Sequence, residues 1–226
     1  VSAPVITNAT DIANFDYSQA QSTEQKIRAS DRQGGDWFGW SVSLSGDYAI
    51  VGAYLEDPGG TGDAGAAYIY KRNASTGVWG DEQKITAGDK QANDAFSVSV
   101  SLSGDYAIVG AWLKDSFTGA AYIYKRNATT GVWGDEQKIQ ASDKQANDRF
   151  GRSVSISGDY AIVGAQNKNS GTGAAYIYTR NGTTWGNEQK IVASDREAND
   201  AFGTSASISG DYAIVGAFGD DSSTGA

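Results

Sequence analysis

The sequence predicts an all-β fold, a beta-propeller of four-stranded antiparallel blades with about four blades present. Three observations carry that expectation: one long period, short strand patterns inside it, and a fall in apolarity along each copy. The step Gly-Asp-Tyr recurs at Gly46, Gly104, Gly158 and Gly210, spacings of 58, 54 and 52 residues. A period near 50 built from short strands is the signature of propeller blades.

The third copy shows how each element follows. Ser153-Val154-Ser155-Ile156-Ser157 alternates with period two, so it reads as an innermost strand with one apolar face and one face of small serines suited to a crowded axis. Gly158-Asp159 supplies a tight hairpin turn. Tyr160-Ala161-Ile162-Val163-Gly164 is apolar on both faces, as a strand covered by two neighbouring blades must be. Ala174 to Tyr178 reads as a third strand, and Trp185 to Ile191 as a more polar outer strand. The repeated tyrosines Tyr68, Tyr70, Tyr122, Tyr124, Tyr176 and Tyr178 are the candidate core, since a buried aromatic covers about 150–250 Å².

On this reading one propeller domain comprises an N-terminal segment 1–29 carrying outer strands of a closing blade, repeats at 30–85, 86–139 and 140–191, and the first two strands of a fourth at 192–226. Two strands from each end would complete a closed four-bladed ring; the competing account is part of a larger, for example seven-bladed, propeller. The poor match of Asn14-Phe15-Asp16-Tyr17 to a third strand favours the second.

The copies resemble the FG-GAP repeat, the blade unit of integrin alpha-subunit propellers and of many secreted bacterial repeat proteins. The Phe-Gly half stands at Phe38-Gly39, Phe150-Gly151 and Phe202-Gly203, with Phe96-Ser97 as the exception. The Gly-Ala half stands at Gly52-Ala53, Gly110-Ala111, Gly164-Ala165 and Gly216-Ala217. The resemblance implies an extracellular, integrin-like binding or adhesion protein, secreted or at the cell surface. It does not extend to the integrin calcium loop, because the hairpin that would hold it has shrunk to Ser45-Gly46-Asp47 and cannot supply enough oxygen ligands.

Composition removes several function classes. The chain of 226 residues has no Cys and no His, which excludes disulfides, thiol nucleophiles, imidazole bases and Cys or His metal ligands. Its net charge of −9 argues against nucleic acid and anionic membranes, and no apolar run is long enough to insert in a bilayer. Absence of Met indicates a processed or partial segment of a longer precursor. The chain therefore reads as no enzyme, and no cofactor is expected.

Function has to be read from what differs between copies. The loops between fourth and first strands and between second and third strands share one face, and they vary: Trp37, Trp40, Tyr54, Trp112, Arg149, Arg152, Gln166 and Phe218 stand at non-identical positions over a constant scaffold. Such residues suit a protein or glycan ligand, with self-assembly as a further possibility; drift in loops under weak constraint is the alternative. On the opposite face Asn73, Asn127 and Asn181, and near the start Asn8, fit the N-glycosylation pattern and equally fit turn chemistry. Aspartate pairs five apart, Asp31 with Asp36, Asp89 with Asp94, Asp143 with Asp148 and Asp195 with Asp200, read as turn caps, with calcium as the alternative.

Overall fold

The computed structural model describes residues 24–220 and Gly225, so Asn8 and the strand expected near Asn14 to Ser18 lie outside the described residues. Blade 1 contains β1 (Ser41–Ser45), β2 (Tyr48–Ala53), β3 (Ala66–Arg72) and β4 (Trp79–Ile85). Blade 2 contains β5 (Phe96–Ser103), β6 (Tyr106–Ala111), β7 (Ala120–Arg126) and β8 (Trp133–Ile139). Blade 3 contains β9 (Phe150–Ser157), β10 (Tyr160–Ala165), β11 (Ala174–Asn181) and β12 (Thr184–Ile191), and a fourth sheet holds β13 (Phe202–Ser209) and β14 (Tyr212–Ala217). Each sheet is an antiparallel meander in chain order.

The inner strand is longer than the serine alternation alone suggests, because it begins at the phenylalanine. In blade 2 the register jumps from Phe96↔Ala111 to Ser99↔Gly110, a bulge that lets the Phe side chain turn inward. Phe96 lies edge-on to Tyr122 and Tyr124, with ring centroids 5.6 and 6.2 Å apart, and Phe38 and Phe150 repeat the arrangement in their own blades. Burying a tyrosine such as Tyr122 contributes on the order of 2–3 kcal/mol before conformational entropy is counted.

Blades stack face to face. Ile50, Ala67 and Ile69 of blade 1 meet Val100, Leu102, Val109 and Tyr122 of blade 2 in one buried cluster, and the same positions build the next interface. The serines do more than fit a crowded axis. Ser99 Oγ donates to Gly151 O at 3.0 Å, while Ser101 Oγ and Ser103 Oγ accept from Ile156 N at 3.2 Å and Gly158 N at 3.0 Å. Serines of β1 serve β5, and those of β9 serve β13, in the same way. At the rim Gln83 Nε2 donates to Trp133 O and Gln83 Oε1 accepts from Trp133 N, with Gln137 and Trp185 repeating the exchange one blade on. Gln25 holds Trp79 identically, so Glu24 to Ile27 lie against blade 1 as β4 lies against blade 2.

The described sheets do not close into a ring. Val42 on β1 and Ile214 on β14 are 67% and 73% exposed, although their counterparts Val100 and Ile162 are buried.

Close approach of neighbouring backbones fixes the small residue at the end of each second strand. A Cβ on Gly110 would lie 2.0 Å from Gly151 O of the next blade, and backbone cannot yield as a flexible side chain does. Gly110→Ala is therefore expected to lower unfolding free energy by more than about 3 kcal/mol. Gly134→Ala, where the added carbon meets nothing within 4 Å, is expected to change it by less than about 1 kcal/mol; urea titration compares the two.

Candidate functional site

The loops entering β5, β9 and β13 lie against the loops that leave β2, β6 and β10, and backbone bonds join them: Asn93 N donates to Gly62 O, Arg149 N to Phe117 O, and Ala201 N to Gly171 O. The variable residues stand on these loop sets and on the loop entering β1, with Arg152 just inside β9, and the structure sorts them into separate groups. Trp37, Trp40 and Tyr54 form an aromatic triad on blade 1, with centroids 5.6 Å apart for the two tryptophans and 5.0 Å for Trp40 and Tyr54. Trp37 and Trp40 remain 55% and 48% exposed, so the triad presents ring surface to solvent.

Trp112 behaves differently from Tyr54, its counterpart one repeat earlier. Across the blade boundary Tyr54 would meet only small, buried Ala95 and Val98, and it turns back to its own blade. Trp112 instead meets Arg149 and Arg152 of blade 3, whose guanidinium carbons lie 5.1 and 5.4 Å from its ring. Burial and the neighbouring Arg149 charge both lower the pKa of Arg152 from its ordinary value. Neither guanidinium has a carboxylate partner among the described residues, and Trp112 Nε1 and Arg149 Nε are buried without an acceptor. At the third boundary Gln166 Oε1 accepts from Thr204 Oγ1, while Phe218 is exposed and joins neither group.

On the opposite face Asn73 Oδ1 accepts from Ser75 N and Thr76 N, and Asn127 Oδ1 from Thr129 N and Thr130 N. These turns use the carbonyl oxygen; the amide nitrogen, where a glycan would attach, takes no part. Asn181 ends β11 and is exposed. In the hairpins where integrin-type loops would bind calcium, the acid has another role: Asp47, Asp105 and Asp159 pair with Arg72, Arg126 and Arg180.

The aspartate pairs divide their work. The second member caps a turn in all four, as when Asp94 Oδ2 accepts from Gln91 N at 2.6 Å, while the first accepts a tyrosine hydroxyl in the pairs begun by Asp31, Asp89 and Asp143, Tyr122 to Asp89 at 2.7 Å. Between them sits a group that pattern reading did not single out. Lys114 is 0% exposed, and its Nζ lies 2.5 Å from Asp89 O and 2.9 Å from Asp94 Oδ2; Lys168 does the same with Asp143 and Asp148. The legible signal was a base three residues after Gly110-Ala111 and Gly164-Ala165 in two copies. These lysines anchor loops in which Asp115, Ser116 and Phe117 hold φ of 52°, 59° and 62°, a left-handed run costly for residues other than glycine.

Burial alone would raise the Asp143 carboxyl, but the Lys190 and Tyr176 hydrogen bonds and the Lys168 charge outweigh it and hold the pKa at about 2. A carboxyl depressed from 3.8 supports folding above that value and loses its contribution as pH falls from about 4 towards 2. Tyr176→Phe is expected to bring the acid-unfolding midpoint to higher pH, read by circular dichroism. Lys114→Met, which leaves Asp94 buried without its cation, is expected to cost about 3–5 kcal/mol in urea unfolding at pH 7.

A search of the curated proteins returns no match. The FG-GAP repeat model matches residues 22–70, 79–124, 133–178 and 185–226. Its matched segments 79–124 and 133–178 start on an outer strand, cross a blade boundary and finish on the next third strand. With most of its length matched in four consecutive copies, the chain belongs to the FG-GAP repeat family and is a propeller-type protein built from that repeat.

Proposed function

We propose that the chain is an extracellular binding or adhesion module whose variable face engages an acidic partner, serving as a unit of a larger surface assembly. FG-GAP repeats suggest propeller modules often involved in binding, belong to a generally non-enzymatic family and are typical of extracellular proteins. Among the described residues, no helix is long and apolar enough to cross a membrane.

The observation that carries the reading is the cluster of Trp112, Arg149 and Arg152. Two guanidiniums crowd one indole without a carboxylate, in a chain of net charge −9 where acids outnumber bases. Such an arrangement is a poor stability device, because like charges repel and buried donors go unmet. A ligand carboxylate would relieve both guanidiniums, and arginine and tryptophan are among the residues enriched at interface hot spots. The partner favoured by this chemistry is a protein surface presenting Asp or Glu beside an apolar side chain. Gln166 and Phe218 add contacts towards the last blade.

A second reading has its own observation. The exposed triad of Trp37, Trp40 and Tyr54 supplies ring faces of the kind that stack on sugars, which supports a carbohydrate-binding, lectin-like propeller. Glycans on Asn73, Asn127 and Asn181 would lie on the opposite face and leave either site open.

Binding of the full chain to immobilised extracellular proteins and to a glycan array separates the two. The first reading expects salt-sensitive capture of acidic protein ligands, weakened about 30-fold or more by Arg149→Ala. Sugar-specific signal lost in Trp40→Ala and unchanged in Arg149→Ala would transfer the assignment to the lectin.

A further inference from the structure

Each junction inside the chain joins a forward face of one blade to a receiving face of the next. At the boundary of blades 1 and 2, Tyr48 lies edge-on to Trp133 with ring centroids 5.6 Å apart, and the Arg126 guanidinium stands 4.9 Å over the same tyrosine. At the next boundary Tyr106 meets Trp185 at 5.7 Å and Arg180 at 4.7 Å. Beside these tyrosines Ile50 packs with Val100 and Leu102, and Ile108 with Val154 and Ile156. Nearer the hub, serines of the earlier blade bond backbone of the later one.

Both halves of this junction also stand open at the two ends of the array. The forward half is on the fourth sheet, where Tyr212 and Ile214 of β14, the equivalents of Tyr48 and Ile50, are 82% and 73% exposed. On β13, Ser205, Ser207 and Ser209 match Ser99, Ser101 and Ser103; they are exposed, and their hydroxyls bond nothing among the described residues. The receiving half is on blade 1. Val42 and Leu44, the equivalents of Val100 and Leu102, are 67% and 69% exposed. Leu102 N and Gly104 N donate to Ser43 Oγ and Ser45 Oγ, but their counterparts Leu44 N and Gly46 N meet no serine. Arg72 and Trp79 correspond to Arg126 and Trp133, and among the described residues neither makes the tyrosine-ring contact of its counterpart.

We propose that the β13–β14 face of one chain docks on the β1 face of a second copy, head to tail, rebuilding between chains the junction found within one. Tyr212 then meets Trp79 and Arg72 of the second copy, Ile214 covers its Val42 and Leu44, and Ser205, Ser207 and Ser209 bond its backbone at Gly39, Leu44 and Gly46. The rim of the receiving side is already filled, since Ile27 and Ala29 pack with Val51 and Tyr68 and Gln25 holds Trp79. What stays open is the strip along β1 nearest the hub, and the described strands of the fourth sheet, β13 and β14, are the two inner ones that serve such a strip elsewhere. Three junctions of one chemistry carry the chain from blade 1 to the fourth sheet without bringing its two open faces together, so each face fits another copy in place of its own chain. Exposed apolar surface beside unmet polar groups marks an interaction site, and a contact between unlike faces repeats, closing into a ring or growing as a row of copies. The inference rests on the assembly part of the proposed function and not on its acidic ligand.

The test is sedimentation velocity of the full chain as wild type, Ile214→Asp, Leu44→Asp and an equal mixture of the two variants. Both substitutions fall on exposed side chains, and circular dichroism checks that both variants are folded. Wild type is expected to run as two or more chains at about 100 μM, where even a contact of about 10 μM affinity is mostly formed. Each variant alone is expected to associate about 30-fold or more weakly and to run as a single chain. Their mixture is expected to recover a two-chain particle, because each variant keeps the face that the other has lost. Wild type running as a single chain, a folded variant assembling as wild type does, or a mixture that stays as single chains would overturn the assignment. Capture of acidic ligands is read separately: Ile214→Asp is expected to retain it, so failure of assembly and failure of the ligand reading are told apart.

Discussion

A four-stranded sheet has two raw edges, and the whole array depends on how those edges are satisfied across blade boundaries. At the hub, backbone groups of each inner strand meet serine hydroxyls from the blade before, three bonds to a boundary in the junction of β5 with β9. At the rim, a glutamine amide plays the part of a missing strand for the Trp133 backbone. Each such bond contributes about 1 kcal/mol, and each removes an unpaired group that would otherwise invite aggregation. The apolar faces between hub and rim supply the larger driving force, but these side chains fix the register in which the faces meet.

With register set in this way, the scaffold leaves one face at liberty to differ. Loops on that face are joined to one another by backbone bonds and are pinned from beneath by buried ions, so their exposed side chains can change without loosening the blade. The aromatic triad and the arginine pair are two independent outcomes of that freedom on adjoining blades. They differ because the residues facing Tyr54 and Trp112 across their boundaries differ in size and charge.

Much of the fold was legible because blade folding is a local matter of alternation and turn chemistry. Ser153 to Ser157, Gly158-Asp159 and Tyr160 to Gly164 each announce their conformation within a few residues, and the structure places strands and turn there. The start of the inner strand at Phe150 was missed because a bulge interrupts the alternation at Gly151 and Arg152. The serines were read for their size, since a hydroxyl bonded about 50 residues away leaves no mark in local pattern. The capping aspartates were legible for the same reason as the turns. The tyrosine hydroxyls, buried lysines and the clusters of Trp112 and Trp40 were not, because each joins loops distant in sequence.

Most of the stitching between blades has a direction: the alternating serines of the inner strands and the rim glutamines reach forward to backbone of the next blade, while Ser97 reaches back to Ala66 O. The matched segments 79–124 and 133–178 each run from an outer strand across to the following third strand, and the stitches join one copy to the next, as Ser99 and Gln83 of the first bond Gly151 and Trp133 of the second. Gene duplication or loss of a whole copy thus inserts or removes a junction chemically equal to its neighbours, and circumference can change in unit steps with no interface to be reinvented. Blade number in such an array is an evolutionary variable, while blade identity, carried in the loops, is free to diverge separately.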